Sequence, residues 1–172
     1  MNKFNQDYYK IWKSDFYTIE ANIDRSLWEN KFIKSFEKRL KKIILVIFEN
    51  SKNTLLVNNI LISLLFTGDK KVAELNNYYR KIHKSTNVLS FPSKEINNSK
   101  EMFLGDIVFS SQTIIEEAKR DNKSLEDHLI HLFIHGVLHL LGYDHQKEHD
   151  AHIMESLEIK ILKNLKIDNP YN

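Results

Sequence analysis

The 172 residues include no cysteine, only two prolines and four glycines, and no apolar run long enough for a bilayer. Without cysteine there are neither disulfides nor thiolate metal sites, so any metal must be held by histidine or carboxylate. So little proline and glycine leaves no room for a flexible linker, and no internal repeat or low-complexity segment appears. The longest apolar stretches, such as 60–66, are too short to span a membrane. The opening residues, MNKFNQDYYKIWKSDF, lack the apolar core of a secretory leader, and a cytoplasmic location is expected. What is present is ordinary: 42% hydrophobic and 28% charged residues, in a length that suits one domain over 1–172 with a real core.

Charge and histidine are unevenly placed. Residues 1–100 hold 18 basic against 10 acidic side chains, and residues 101–172 hold 7 against 13. Seven of the eight histidines fall between His128 and His152, with His83 apart. An acidic, histidine-rich part suits a divalent cation and a basic part suits a polyanion, although asymmetry along a chain need not become asymmetry on a surface.

Hydrophobic patterning predicts strands at 16–20, 60–67, 87–91 and 102–110, and helices at 27–48, 70–82, 111–121, 124–141 and 147–165. Pro92 stops the third strand, and the polar loop SKEINNSKE leads into the fourth. The lysines of 31–42 form the exposed face of the first helix, with RNA attraction as the alternative reading. Strands interspersed with helices, followed by helices alone, indicate an α+β domain with a small sheet.

The helix at 124–141 is apolar around most of its circumference, as a buried helix is, except for the stripe His128, His131, His135 and His139. Imidazoles on a buried helix are costly without partners. Residues 135–145 read HGVLHLLGYDH. At about 100° per residue, His135 and His139 share a face one turn apart, the geometry by which two helical imidazoles chelate one zinc. His145 would lie about 240° further round a continued helix, so the chain must turn back. Gly142 stands where a left-handed residue ends a helix. Three imidazoles then leave a fourth position open, the arrangement of a catalytic zinc. His128 and His131 are assigned to the surroundings of the site, and His149 and His152 to the surface. Asp106 is read as structural, fixing a loop or a ligand histidine, and Asp144 as a cap of the turn or an orienter of histidine.

The spacing is that of metzincin proteases, but Gly136 occupies the place of their general-base glutamate. Loss of that base points away from proteolysis without naming another substrate; a metal-dependent hydrolase, including one of a peptide with its base recruited from elsewhere, and a non-catalytic factor stabilised by its metal both stay open.

HGVLHLLGYDH resembles the signature of the YbeY family, bacterial metal-dependent endoribonucleases of ribosomal RNA maturation. ISLLFTGDKKVAELNNYYRKIHKSTNVLSFP (62–92), LGDIVFS (104–110) and MESLEIKIL (154–162) agree in order. The resemblance covers roughly residues 60–165. It implies a zincin-like α+β fold in which a small mixed four-stranded sheet packs on the buried histidine helix. It also implies one Zn2+ per chain on His135, His139 and His145, with Arg80 as a catalytic residue. The activity it implies is single-strand-specific endoribonuclease cleavage in ribosomal RNA processing, notably at the 3′ end of 16S rRNA, and in ribosome quality control. Precursor RNA and the small ribosomal subunit are the implied partners, and neither membrane nor DNA is expected. Two residues in the loop after Arg80 depart from the family: His83, where aspartate is common, and Ser85, where proline is. Read without the family, Arg80 is ambiguous, since an arginine near the end of an amphipathic helix is usually a solvated residue or a helix C-terminal charge.

Overall fold

The computed structural model describes residues 7–51, 59–93 and 101–171. Its elements are β1 (Asp7–Lys13), β2 (Tyr17–Asp24), α1 (Asn30–Asn50), β3 (Asn59–Thr67), α2 (Asp69–Arg80), β4 (Val88–Pro92), β5 (Glu101–Ser110), α3 (Ser111–Arg120), α4 (Leu125–Leu140) and α5 (Glu148–Asn164). The sheet order is β1-β2-β3-β5-β4, with β2, β3 and β5 parallel and an antiparallel strand at each edge. The fold is α+β, as the pattern predicts, but the sheet has five strands where four are expected. The extra one is β1, whose only buried side chain is Trp12. An edge strand with a single buried side chain carries almost no hydrophobic alternation to read. Most of the polar loop after Pro92, residues 94–100, lies outside the described residues.

Period-two burial builds the core. Tyr17, Ile19, Ala21 and Ile23 of β2 and Ile60, Ile62, Leu64 and Phe66 of β3 are buried on one face. Helices α1 and α4 close over that face, with α5 packed against both. The ring of Phe36 meets Phe133 edge-on at 5.1 Å, and Phe66 stacks on Phe109 at 5.1 Å, joining α1, α4, β3 and β5. Arg39 of α1 reaches Asp127 at 3.0 Å and the Leu165 carbonyl at 3.3 Å, tying the start of α4 to the end of α5. The lysines at 31, 34, 38, 41 and 42 are exposed. On the other face α2 covers the β4–β5 end through Val72, Leu89 and Val108.

Two details shape the β4–β5 edge, against which α4 packs. Gly105 has φ +134°, and a Cβ there would lie 2.1 Å from the Phe91 carbonyl oxygen, so only glycine fits this irregularity in β5. Bonds from Ser110 N to Asn87 O and from Ser93 N to Leu104 O show that odd-numbered residues of β4 pair with β5. Val88, Ser90 and Pro92 therefore turn their main-chain groups outward. A proline at 92 costs no ladder bond, which is why the strand includes it.

Candidate metal centre

Helix α4 begins at Ser124, whose hydroxyl accepts the Asp127 amide at 3.3 Å, with Glu126 and Asp127 in its first turn. It ends in a Schellman turn: Tyr143 N donates to Leu138 O and Gly142 N to His139 O, both at 3.0 Å. Gly142 takes φ +91°. The reversed chain sets the ring of His145 5.3 Å from that of His135 and 4.9 Å from that of His139, which are themselves 4.6 Å apart. One ring nitrogen of each lies within 4.8 Å of the others. The expected trio is thus brought together, and the turn at Gly142 does it.

Hydrogen bonds settle which nitrogens face inward. His135 Nδ1 donates to Glu158 Oε1 at 2.7 Å, and His139 Nδ1 donates to the Tyr143 carbonyl at 3.0 Å. A neutral imidazole that donates from Nδ1 has a bare lone pair on Nε2. The two Nε2 atoms stand 3.1 Å apart. Facing lone pairs at that distance repel unless a cation lies between them. Tetrahedral zinc with Zn–N bonds of about 2.0–2.1 Å would hold two nitrogens roughly 3.3 Å apart. The donor set and spacing therefore fit a divalent metal. Burial first, and then the neighbouring His135 and His145 charges, pull the His139 pKa down to about 4, so its ligand form persists at neutral pH.

The imidazoles open onto a cleft of about 680 Å³. Its far wall is β4, through Val88, Ser90 and Pro92, and Arg80 stands at the rim. Arg80 is exposed at the end of α2, and its guanidinium makes no hydrogen bond or ion pair among the described residues. The loop after it is held by Asn76, which donates to the Lys84 carbonyl at 2.7 Å. Ser85, one of the two departures, donates to Asp69 at 3.0 Å, and Thr113 and Ser110 donate to the same carboxylate. His83 is exposed.

Gly136 lies where α4 crosses the sheet. A Cβ there would meet Ile107 at 3.0 Å and Ser90 Oγ at 3.1 Å. The residue in the place of the protease glutamate is a buried packing glycine between α4 and the β4–β5 edge.

His128 and His131 stay out of the trio. His128 is buried and bonds Glu117 at 2.8 Å, and Glu117 in turn receives Asn87 at 2.9 Å, steadying the entry to β4. His131 bonds Glu158 at 3.2 Å. His149 and His152 are exposed on α5. Asp144 caps the turn by accepting the His145 amide at 2.7 Å. Asp106 does not orient a histidine: it lines a groove on the α2 face with Ser63, Leu75, Tyr79 and Phe91. Sequence reasoning missed Glu158. Burial raises its pKa, but bonds from His131, His135 and Tyr171 and the His135 charge outweigh that and hold it at about 2. A clue was available: Glu158 falls on the apolar stripe of α5 with Met154, Ile161 and Leu162.

Among the described residues, no helix is long and apolar enough to cross a membrane. A family model described as Endoribonuclease YbeY matches residues 24–166. A Bartonella quintana protein named Endoribonuclease YbeY is 41% identical over 158 residues, covering 90% of this chain and 96% of that protein. One of the same name from Bartonella henselae is 41% identical over 160 residues, with coverage of 90% and 96%. The solution structure of TM1509 from Thermotoga maritima shares the fold at a TM-score of 0.52 and 21% identity, covering 90% of this chain and 99% of that one.

Proposed function

Because the chain belongs to the YbeY family of endoribonucleases, we propose that it cleaves single-stranded regions of ribosomal RNA precursors in the cytoplasm, using one Zn2+ held by His135, His139 and His145. The 3′ end of 16S rRNA is the proposed target, small-subunit maturation and ribosome quality control are the setting, and the small subunit is the proposed partner. One observation carries the metal reading: the paired Nε2 atoms of His135 and His139, bare and 3.1 Å apart, in a cleft that Arg80 shares.

When bound there, zinc supplies a Lewis acid and lowers the pKa of water toward about 7. The chain's own residues do the rest. Glu158 and the Tyr143 carbonyl hold two imidazoles in the ligating tautomer. Arg80, whose guanidinium has no partner among the described residues, offers a planar pair of N–H donors to a scissile phosphate and stabilises the charge that develops on it. RNA carries its own nucleophile, the 2′-hydroxyl, beside every phosphate. Ser90 offers an outward main-chain N–H and carbonyl along the cleft wall, where a strand of substrate would lie. The exposed lysines of α1 suit the phosphate backbone of a larger RNA.

Peptide hydrolysis fits less well. It needs a general base and an acid for the amine leaving group, and the place such a group holds in the proteases is taken by Gly136. Single-turnover assays on a precursor RNA and on casein, with stripped and zinc-reloaded protein, test the reading. Reloaded protein should cut RNA and spare casein. Tight zinc binding with intact RNA would leave the non-catalytic maturation factor.

A further inference from the structure

Glu158 is fully buried, yet it lies on a face of α5 otherwise made of Met154, Ile161 and Leu162. Leucine would serve packing better there, because a buried carboxylate is costly unless its partners satisfy it completely. Its partners do so. His135 Nδ1 donates to Oε1 at 2.7 Å, while His131 Nε2, at 3.2 Å, and the Tyr171 hydroxyl both donate to Oε2. Tyr171 is itself anchored. Its amide donates to Asn169 Oδ1 at 3.0 Å, its ring meets His131 edge-on, and Lys123 donates to the Pro170 carbonyl at 2.8 Å.

We propose that Glu158 is the positioning residue of the metal site, and that Tyr171 and His131 lock it so that His135 presents Nε2, and only Nε2, to the cleft. This rests on the reading of His135, His139 and His145 as ligands. The geometry separates two tasks. Oε1 faces the ligand alone, and Oε2 takes both anchoring donors. A carboxylate pinned on one oxygen cannot rotate away from the imidazole on the other. It also demands a proton on His135 Nδ1, because an ionised carboxylate only accepts. An ion pair that merely joined α5 to α4 would need no such division, and His131 alone would supply it.

The test compares wild type, Glu158→Gln and Tyr171→Phe by Zn2+ competition against a chromophoric chelator, and by the ¹⁵N tautomer signature of His135 in the metal-free proteins. Wild type should bind one zinc and show the Nδ1–H tautomer. Glu158→Gln should bind about 10–100-fold more weakly, the usual effect of removing such a partner, with a mixed His135 tautomer. Tyr171→Phe removes one donor at an exposed position without touching the core, so it reports even if the glutamine variant does not fold. It should weaken zinc several-fold. Wild-type affinity and tautomer in Tyr171→Phe and in any folded Glu158→Gln would overturn the proposal while leaving the metal site standing. Failure of wild type itself to take up zinc would overturn both.

Discussion

Gly142→Ala isolates the turn on which the metal centre depends. A Cβ at this position would have nothing within 4 Å, so neighbours contribute no clash, and the whole effect arises from the backbone at φ +91°. Holding an ordinary L-residue in left-handed conformation costs about 1–2 kcal/mol. The chain can meet that cost in two ways. If the metal-free protein keeps the turn, urea unfolding should show a loss of about 1–2 kcal/mol with zinc affinity unchanged. If the metal-free turn relaxes, stability is kept and the strain returns when zinc draws His145 back, weakening affinity by roughly 5–30-fold. The two losses share one total. His145 is exposed, and the Asp144 bond to its amide joins neighbours in sequence and can move with them, so relaxation is the easier route and the loss should fall mainly on zinc. Gly142→Asn should lose less, since asparagine tolerates this region, and Gly142→Val should lose more. Chelator competition and urea titration on the same preparations measure both quantities. A valine variant with unchanged stability and unchanged zinc affinity would refute the reasoning.

Alanine at His135, His139 or His145 should each abolish tight zinc binding, and His128→Ala should retain it; metal content per chain decides, and full occupancy in His145→Ala would remove that residue from the ligand set. Arg80→Ala should keep zinc and melting temperature but lose on the order of 10²–10³ in single-turnover RNA cleavage, with Arg80→Lys recovering part of it; a wild-type rate would make Arg80 a solvated residue. Acid should act on the metal-free protein through His139. Its folded pKa of about 4 lies below the ordinary 6.5, so as pH falls below 6.5 the unfolded chain takes up a proton that the folded chain refuses. That stability is complete above pH 6.5 and is lost as pH falls through 4. Glu158, held at about 2 against an ordinary 4.5, extends the loss below pH 4.5. Circular dichroism during acid titration should show this decline, and a flat profile from pH 6.5 to 4 would contradict it.

The centre was legible where its geometry is local. His135 and His139 are one helical turn apart, and Gly142 and His145 follow within the next six residues, so periodicity and the φ preference of glycine are enough to bring the three together. Glu158 stands 23 positions from His135, and nothing local says that α5 folds back to deliver a carboxylate there. Arg80 reached the same cleft through a helix and sheet order that periodicity does not encode; only family resemblance pointed to it. Asp106 shows the limit on single residues. Hydrophobic patterning predicts its strand, but the face of the sheet on which it stands depends on the irregularity at Gly105. β1 escaped because one buried tryptophan makes no pattern.

The crossing at Gly136 also bears on how this chemistry could change over generations. By spacing alone, a single substitution to glutamate would complete the protease motif. Physically that substitution sends a five-atom charged side chain from a buried backbone position into Ile107 and the Ser90 hydroxyl, where even a methyl group is tight. The Ile107 and Ser90 side chains would have to give by a few tenths of an ångström for the β-carbon alone, and Ser90 belongs to β4, the wall along which substrate is proposed to lie. Two motifs that look one mutation apart on paper differ in how closely the helix approaches the sheet, and the first step from one to the other is taken against that packing.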